Sequence, residues 1–188
     1  LFIAKYPGVL GNSLKVQVID SNAWGDSTVN ADFIANFDGA PSTSTDVANA
    51  GGSQDEMHVI VIDEDGLWTG DPGYILEKFA YVSKASDAKR PDGSSNYIKD
   101  VLRNESKYVW LGTVTELTAL STDASPARDA GQPKAGATFK TFSSATASEG
   151  VLGGSMGWGN NGAAISSAQL QLGYALYATP EIVDVNLI

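Results

Sequence analysis

The sequence predicts an α/β (mixed α+β) domain, with a central mixed β-sheet, flanking helices and long surface loops. Residues 57–62 (MHVIVI) are apolar at every position but His58, which is typical of a strand buried on both faces near the middle of a sheet. The pair Asp65-Gly66 follows and predicts a hairpin. Residues 95–112 then combine a helical spacing of apolar side chains with the strand-forming run KYVWLG. Strand, hairpin, helix and strand therefore form the unit around which the chain is organised.

The central sheet is expected to contain five strands. They lie near residues 14–19, 57–62, 67–82, 107–112 and 182–188. In the first strand, apolar and polar side chains alternate. This alternation predicts that the apolar side chains lie on one face and that Lys15 and Gln17 lie on a face open to water. Residues 74–83 (YILEKFAYVS) also fit a helix, but their Tyr, Phe, Ile and Val content favours a strand.

Two helices are expected to pack on this sheet, near residues 95–105 and 166–178. Ser94 or Ser95 is available as the N-cap of the first helix. Five side chains are expected to form the apolar face of the second helix: Leu170, Leu172, Tyr174, Leu176 and Tyr177.

Two long loops join these elements. Residues 20–56 are rich in Gly, Ser, Thr, Asn and Asp, and three apolar side chains are expected to hold them on the core. They are Phe33, Ile34 and Phe37. Residues 113–150 contain almost no large apolar side chain, so we expect a mobile surface excursion and not a second domain. One domain is therefore expected over residues 1–188.

The composition excludes several function classes. The 188 residues carry a formal net charge of −10, and the 12 Lys and Arg residues are scattered, which argues against a nucleic-acid-binding surface. Without cysteine there is no thiol catalysis or thiolate metal site, and a single histidine excludes a multi-histidine metal site. No apolar run approaches the roughly 18 residues of a membrane span. The chain begins at Leu1 and stops within the apolar run EIVDVNLI, so we expect a fragment of a longer protein.

Residues 157–162 (GWGNNG) spell the G-x-G-x-x-G fingerprint of a dinucleotide-binding loop. Such a site needs a buried strand directly before the glycines and an acidic residue at the tip of the next strand, about 20 positions on. Here the poor strand former GVLGGSM precedes the glycines, and Asp184 lies inside the next predicted strand. The pattern therefore favours a glycine-rich loop that leads into a helix.

A second motif begins like a calcium-binding loop, Asp20-x-Asn22-x-Trp24-Gly25. Trp24 supplies no oxygen at the fifth position, and Ala31 replaces the bidentate glutamate expected at the twelfth. The motif therefore favours a polar turn.

Three further groups could carry acid–base or nucleophilic chemistry. The cluster Asp63-Glu64-Asp65 is expected to be a solvated hairpin tip and not a catalytic pair. Ser155 lies within the letters G-x-S-x-G, but no strand leads into it as a nucleophile elbow requires. His58 is expected to be a hydrogen-bonded core residue. We therefore predict no catalytic, cofactor-binding or metal-binding residue.

Several stretches occur in a distinctive order along the chain: AKYPGVLGNSLKV, DEMHVIVIDEDG, YVSKASDAK with NYIKDVLRNESKYVW, Gly153-Gly154 before a helix, and DVNLI. The most specific is the proline-glycine turn with Gly11-Asn12 before an alternating strand. The second is the helix that ends in Asn104, with Ser106 and a Tyr-Val strand after it. In these stretches the chain resembles the tail sheath proteins of contractile-tailed bacteriophages. The resemblance covers nearly the whole chain and corresponds to the middle of the family's polypeptide.

This resemblance implies a structural role. Sheath subunits of the family form stacked six-fold rings around a rigid tail tube. The extended sheath shortens and widens when the baseplate triggers it, which drives the tube through the host envelope for genome ejection. The implied location is the virion tail, after synthesis in the host cytoplasm.

The implied partners are neighbouring sheath subunits, the tail tube, the baseplate and the tail terminator, with no nucleic acid, membrane or cofactor. The N-terminal and C-terminal regions of the family are absent from this chain. We therefore expect the isolated 188-residue piece to be monomeric, because bodies of net charge −10 repel each other at low salt.

Two other interpretations remain open. An enzyme domain would bind a dinucleotide at Gly157 to Gly162. A surface carbohydrate-binding module would use exposed rings of Trp24, Trp68 or Trp158.

Overall fold

A computed structural model describes residues 2–24, 31–112, 127–142 and 155–175. Its strands are β1 (Phe2–Ala4), β2 (Leu14–Asp20), β3 (Glu56–Asp63), β4 (Tyr74–Ser83) and β5 (Val109–Leu111). Its helices are α1 (Ser21–Trp24), α2 (Ala31–Ile34), α3 (Thr45–Asn49), α4 (Ile98–Glu105) and α5 (Ser167–Ala175), with a 3-10 turn at Val9–Ser13. Strands and helices together confirm the predicted α+β class.

β3 is the middle strand of a three-stranded antiparallel sheet with the order β2-β3-β4. It is buried from Met57 to Asp63, as its apolar run predicts. β4 confirms the strand prediction for residues 74–83 and runs antiparallel to β3, so the two strands form the predicted hairpin. The strand predicted from residue 67 begins only at Tyr74, because the side chain of Asp63 binds the loop before it: Oδ2 accepts the backbone N–H of Thr69 at 2.8 Å.

The prediction of one mixed five-stranded sheet is wrong for the described residues. β5, which falls within the strand predicted at 107–112, pairs with β1 in a separate two-stranded antiparallel sheet. β5 does not add to the free edge of β4. Near the end of β4 this edge is occupied by the segment before α4, since the N–H of Ser83 donates to the carbonyl of Asn96 at 2.8 Å. The strand predicted at 182–188 lies outside the described residues.

The face of β2 that carries Lys15 and Gln17 is covered, which corrects the prediction of a wet face. Gln17 is 4% exposed and Lys15 is half-buried. The covering elements are α1 and the segment that begins in α2. Their apolar side chains join one cluster with the sheet: Ile19, Ala23, Trp24, Phe33 and Ile34. The predicted anchoring of residues 20–56 on the core is thereby confirmed.

The main core lies on the opposite face of the sheet, where α4 packs. Its buried residues include Val16, Val18, Val59, Val61, Val101 and Leu102. Helix α4 has Tyr97 at its N-cap position without a capping side-chain bond. The prediction of a serine N-cap is therefore wrong: Ser95 instead donates from Oγ to Asp100 Oδ2 at 2.9 Å and accepts the N–H of Tyr97.

Helix α5 does not pack on the sheet, which corrects the prediction for residues 166–178. Every residue from Ser167 to Ala175 is exposed. On a helix Leu170 and Tyr174, four positions apart, share one side, but Leu172 points to the opposite side, so the three do not form one apolar face. Residues 176–178 lie outside the described part of the chain.

Residues 127–142 are held by more apolar anchors than the sequence suggested for 113–150. Phe139 and Phe142 are buried, and the N–H of Phe139 donates to the carbonyl of Ser53 at 3.0 Å. Residues 113–126 and 143–150 lie outside the described ranges. Among the described residues, no helix has the length and apolar character that crossing a bilayer requires.

Candidate functional site

A buried ion pair joins the end of β2 to the end of β4. Lys84 Nζ lies 2.9 Å from Asp20 Oδ2, and the two side chains are 1% and 0% exposed. The ammonium group also donates to the carbonyl of Lys140 at 2.8 Å and lies 4.5 Å from the centre of the Phe142 ring. The carboxylate accepts the N–H groups of Ala23 and Phe142 as well. Asp20, the first residue of the calcium-like motif, is therefore part of a structural clamp.

Asp55 is a second buried carboxylate, and its described partners are neutral donors. Oδ1 accepts the N–H of Ser44 at 2.8 Å, and Oδ2 accepts the hydroxyls of Ser44 at 2.9 Å and Ser83 at 2.5 Å. Through these three hydrogen bonds, Asp55 fastens the residues before α3 to the start of β3 and the end of β4.

Within the acidic cluster at the end of β3, Asp65 is exposed as predicted, but Asp63 is not part of a solvated hairpin tip, which corrects the prediction for Asp63. This residue is fully buried and accepts hydrogen bonds from the hydroxyl of Ser13 at 2.6 Å and the N–H groups of Trp68 and Thr69. Burial alone raises the pKa of Asp63, but these hydrogen bonds outweigh burial and hold the pKa below 3.8. Asp63 therefore stays charged and fixes the loop between β3 and β4.

Ser155 and His58 do not form a nucleophile–base pair. The hydroxyl of Ser155 is hydrogen-bonded to the carboxylate of Glu64. Burial raises the pKa of Glu64, but the bonds from Ser155 and Lys15 outweigh it, so the pKa lies below its usual range. His58 is buried with both ring nitrogens bonded to other groups, which confirms the predicted core histidine.

The glycine-rich loop binds the turn near the start of the chain. The N–H of Gly159 donates to Asn12 Oδ1 at 2.8 Å, and Asn12 Nδ2 donates to the carbonyl of Gly159 at 3.0 Å. Asn161 Oδ1 accepts the N–H of Val9 at 3.0 Å. A Cβ atom at Gly159 would collide with the carbonyl oxygen of Gly8, so this approach requires glycine.

This geometry confirms the loop prediction and differs from a dinucleotide site. In residues 155–175, no strand directly precedes the glycines; Ser155 forms only an isolated bridge to Lys15. Helix α5 begins at Ser167, beyond the last glycine at Gly162, so its N-terminal N–H groups do not adjoin the loop. A pyrophosphate in a fingerprint site lies on that helix N-terminus.

Residues 155–175 carry five exposed large apolar side chains, including the four most exposed of the described chain, and we name this segment the apolar arm. They are Trp158, Ile165, Leu170, Leu172 and Tyr174. Leu172 and Tyr174 are each 71% exposed, and Trp158 is fully open to solvent. No charged residue occurs between Gly150 and Pro180. Extended exposed apolar surface of this kind marks protein interaction sites.

The three tryptophans considered for sugar binding do not form one platform of open rings. Trp68 packs edge-on against Tyr6 and Tyr108, with ring centres 4.8 and 5.1 Å apart. Trp24 is half-buried with its ring centre 5.7 Å from that of His58. Trp158 lies on the apolar arm, the one of the three that is fully exposed.

Across the described ranges, no group of three or more His, Cys, Asp or Glu side chains is placed to hold a metal ion. Sequence reasoning missed the buried roles of Lys84 and Asp55, because neither residue stands in a motif and their partners are distant in the sequence. No family model matches the chain, and no curated protein matches it.

Proposed function

We propose that this chain is part of a structural subunit of a bacteriophage contractile tail sheath. In this role it surrounds the tail tube and contracts with its neighbours to drive the tube through the host envelope for genome ejection. Its partners are neighbouring sheath subunits, the tail tube, the baseplate and the tail terminator, and its location is the virion tail. No catalytic step or cofactor is part of the proposal.

The observation that supports this proposal most is the apolar arm. A subunit of a large assembly must leave apolar surface open for its neighbours, and the arm exposes Trp158, Leu172 and Tyr174 in a segment without charge. A neutral segment also escapes the repulsion that a net charge of −10 creates between copies.

The buried polar groups agree with a structural role. Asp20, Asp55 and Asp63 are each bound by donors from segments far apart in the sequence, so they hold the fold together. The turn that carries the strongest resemblance, with Gly11-Asn12, is fixed by the glycine-rich loop at Gly159. The turn that suggested the family is therefore held by a contact between residues 147 positions apart.

Sedimentation velocity tests the proposal. We expect the 188-residue chain to sediment as a monomer at micromolar concentration, and the complete gene product that contains it to form large assemblies without any cofactor. In the complete product, Leu172→Glu with Tyr174→Glu should weaken assembly, because each change buries a charge in a subunit contact. Gln171→Glu adds charge to the same exposed helix and is the matched control.

Two results would contradict the proposal. One is a complete gene product that stays monomeric at every concentration and salt tested. The other is a saturable thermal shift of the 188-residue chain with NAD or NADP that is lost in Gly159→Val, since a ligand at 100 times its dissociation constant stabilises the native state by about 2.7 kcal/mol. That shift would support the dinucleotide-binding alternative.

A further inference from the structure

A short segment lies across the outer face of the central sheet, where titratable side chains bind it beyond its apolar anchors Phe33 and Ile34. We name residues 33–44 the covering segment. His58 Nε2 lies 2.9 Å from the carbonyl of Gly39, and Glu56 Oε2 accepts the N–H of Ser42 at 3.0 Å. The ring of Phe37 stacks on the His58 ring, with centres 4.0 Å apart and planes 6° from parallel.

The second nitrogen of His58 fills a gap in the hydrogen bonding of β4. Met57 pairs with Val82 and Val59 pairs with Phe79, so two β4 residues stand opposite His58 in a β-bulge. Tyr81 in this bulge has a φ of 54°, the left-handed region that a non-glycine residue rarely adopts. Its N–H donates to His58 Nδ1 at 3.0 Å.

These two contacts fix the protonation state of the ring. Nδ1 accepts from an N–H and so must carry its lone pair, whereas Nε2 faces a carbonyl oxygen and so must carry the proton. The neutral Nε2–H form therefore satisfies both neighbours. A proton added to Nδ1 would set two N–H groups against each other and leave the Tyr81 N–H without its acceptor.

Among the described residues, few other charges surround the ring. From β3, Glu56 lies two residues away on the same face of the strand. From β4, Tyr81 directs its hydroxyl to the carbonyl of Gly39 at 3.4 Å. Asp20, at the end of β2, turns to Lys84, and Asp38 of the covering segment is exposed. Trp24 of α1 presents its ring edge.

We propose that His58 is an acid-sensitive latch, and that a proton on Nδ1 releases the covering segment from the sheet while the rest of the fold stays intact. The release uncovers the outer face of β3 and β4. This inference stands independently of the proposed function. Burial lowers the pKa of His58 in the closed state, which agrees with the geometry.

The size of the effect follows from linkage. We take His58 to bind no proton in the closed state and to have the ordinary pKa of 6.5 in the released state. The equilibrium constant for opening then increases by a factor of one plus the ratio of protonated to neutral His58 in the released state. Between about pH 7.5 and pH 5, this amounts to roughly a thirtyfold increase in opening. The protection of the covering segment against hydrogen exchange should fall by the same factor.

Hydrogen exchange followed by NMR tests the latch on the 188-residue chain. We expect roughly thirtyfold lower protection factors at about pH 5 for the amides of Tyr81 and Ser42, with the β2–β3 amides still protected. His58→Asn keeps an acceptor near the Nδ1 position but does not titrate in this range, so in this variant the protection factors of the two amides should not change with pH. In Glu56→Gln the protection factors should still fall at about pH 5.

A second readout needs no variant, because His58 is the single histidine of the chain. Nitrogen-15 shifts of the ring should report the Nε2–H form at about pH 7.5. An Nδ1–H ring would overturn the proposal, and so would unchanged protection of the covering segment at about pH 5. Equal loss of protection in all strands would overturn it too, since that is global acid unfolding.

Discussion

Replacing Lys84 with methionine should cost much of the stability of this fold. The change keeps the unbranched side chain but removes the ammonium group, so the buried carboxylate of Asp20 loses its countercharge. Removing one partner of a buried ion pair costs about 3–5 kcal/mol. Asp20 keeps the backbone donors of Ala23 and Phe142, so we expect the lower end, about 3 kcal/mol.

The chain offers a matched control in a second lysine–carboxylate pair. Lys15 Nζ lies 3.0 Å from Glu64 Oε1, but the two side chains are 32% and 31% exposed. Partly exposed pairs of this kind contribute about 0–1 kcal/mol because water already solvates both charges. Lys15→Met should therefore lower stability by less than about 1 kcal/mol.

Urea denaturation followed by tryptophan fluorescence measures both variants. A small domain has about 5–15 kcal/mol of stability in total, so a loss of about 3 kcal/mol shifts the midpoint far beyond error. If Lys84→Met and Lys15→Met differ by less than about 1 kcal/mol with equal slopes, the burial argument for the Lys84–Asp20 pair is refuted.

Three further predictions concern single side chains. Oε1 of Gln17 is a buried atom without a hydrogen-bond partner in the described structure, so Gln17→Met should stabilise the fold by about 1 kcal/mol; an equal or lower denaturation midpoint would contradict this. Gly159→Ala should detach the glycine-rich loop from Asn12 and lower the exchange protection of the Gly159 amide, whereas Gly162→Ala, where a Cβ meets open space, should not. Folding lowers the pKa of Asp63, so the ionised carboxylate stabilises the fold fully above 3.8, the pKa of the unfolded chain. This stabilisation is lost as pH falls through the pKa of the folded chain. Asp63→Asn should therefore cost about 1–3 kcal/mol at neutral pH and much less near pH 2; an equal cost at both pH values would argue against a buried charge at Asp63.

The elements that could be predicted from the sequence are those in which local pattern and tertiary environment agree. The run from Met57 to Ile62 is apolar on both faces, and β3 is covered on both faces. The spacing of Ile98, Val101 and Leu102 gives α4 one apolar side, and that side packs on the core. His58 could be assigned to the core because it stands within such a run.

Other features depend on contacts that no local pattern carries. Lysine is ordinarily a surface residue, so the burial of Lys84 follows only from Asp20, 64 positions earlier, and Lys140, 56 positions later. Gln17 alternates like a surface residue, yet it is buried in the folded chain. The sequence predicts a solvated turn at Asp63, because the donors from Ser13 and Thr69 reach its carboxylate only in the folded chain.

The candidate assembly surface was missed for the opposite reason. The sequence predicts a buried helical face that includes Leu170, Leu172 and Tyr174, although Leu172 lies opposite the other two on a helix. An uncharged helix with apolar residues on opposite sides is a signal that could have found the apolar arm. The contact between Asn12 and Gly159, 147 positions apart, had no signal in the sequence.

Electron microscopy of the complete gene product that contains this chain tests the sheath proposal most directly. We expect tubes of stacked rings with six-fold symmetry, formed without nucleotide or metal, and fewer or shorter tubes for the Leu172→Glu, Tyr174→Glu variant than for Gln171→Glu. Dispersed particles with no rings or tubes, under conditions where the protein is folded, would contradict it.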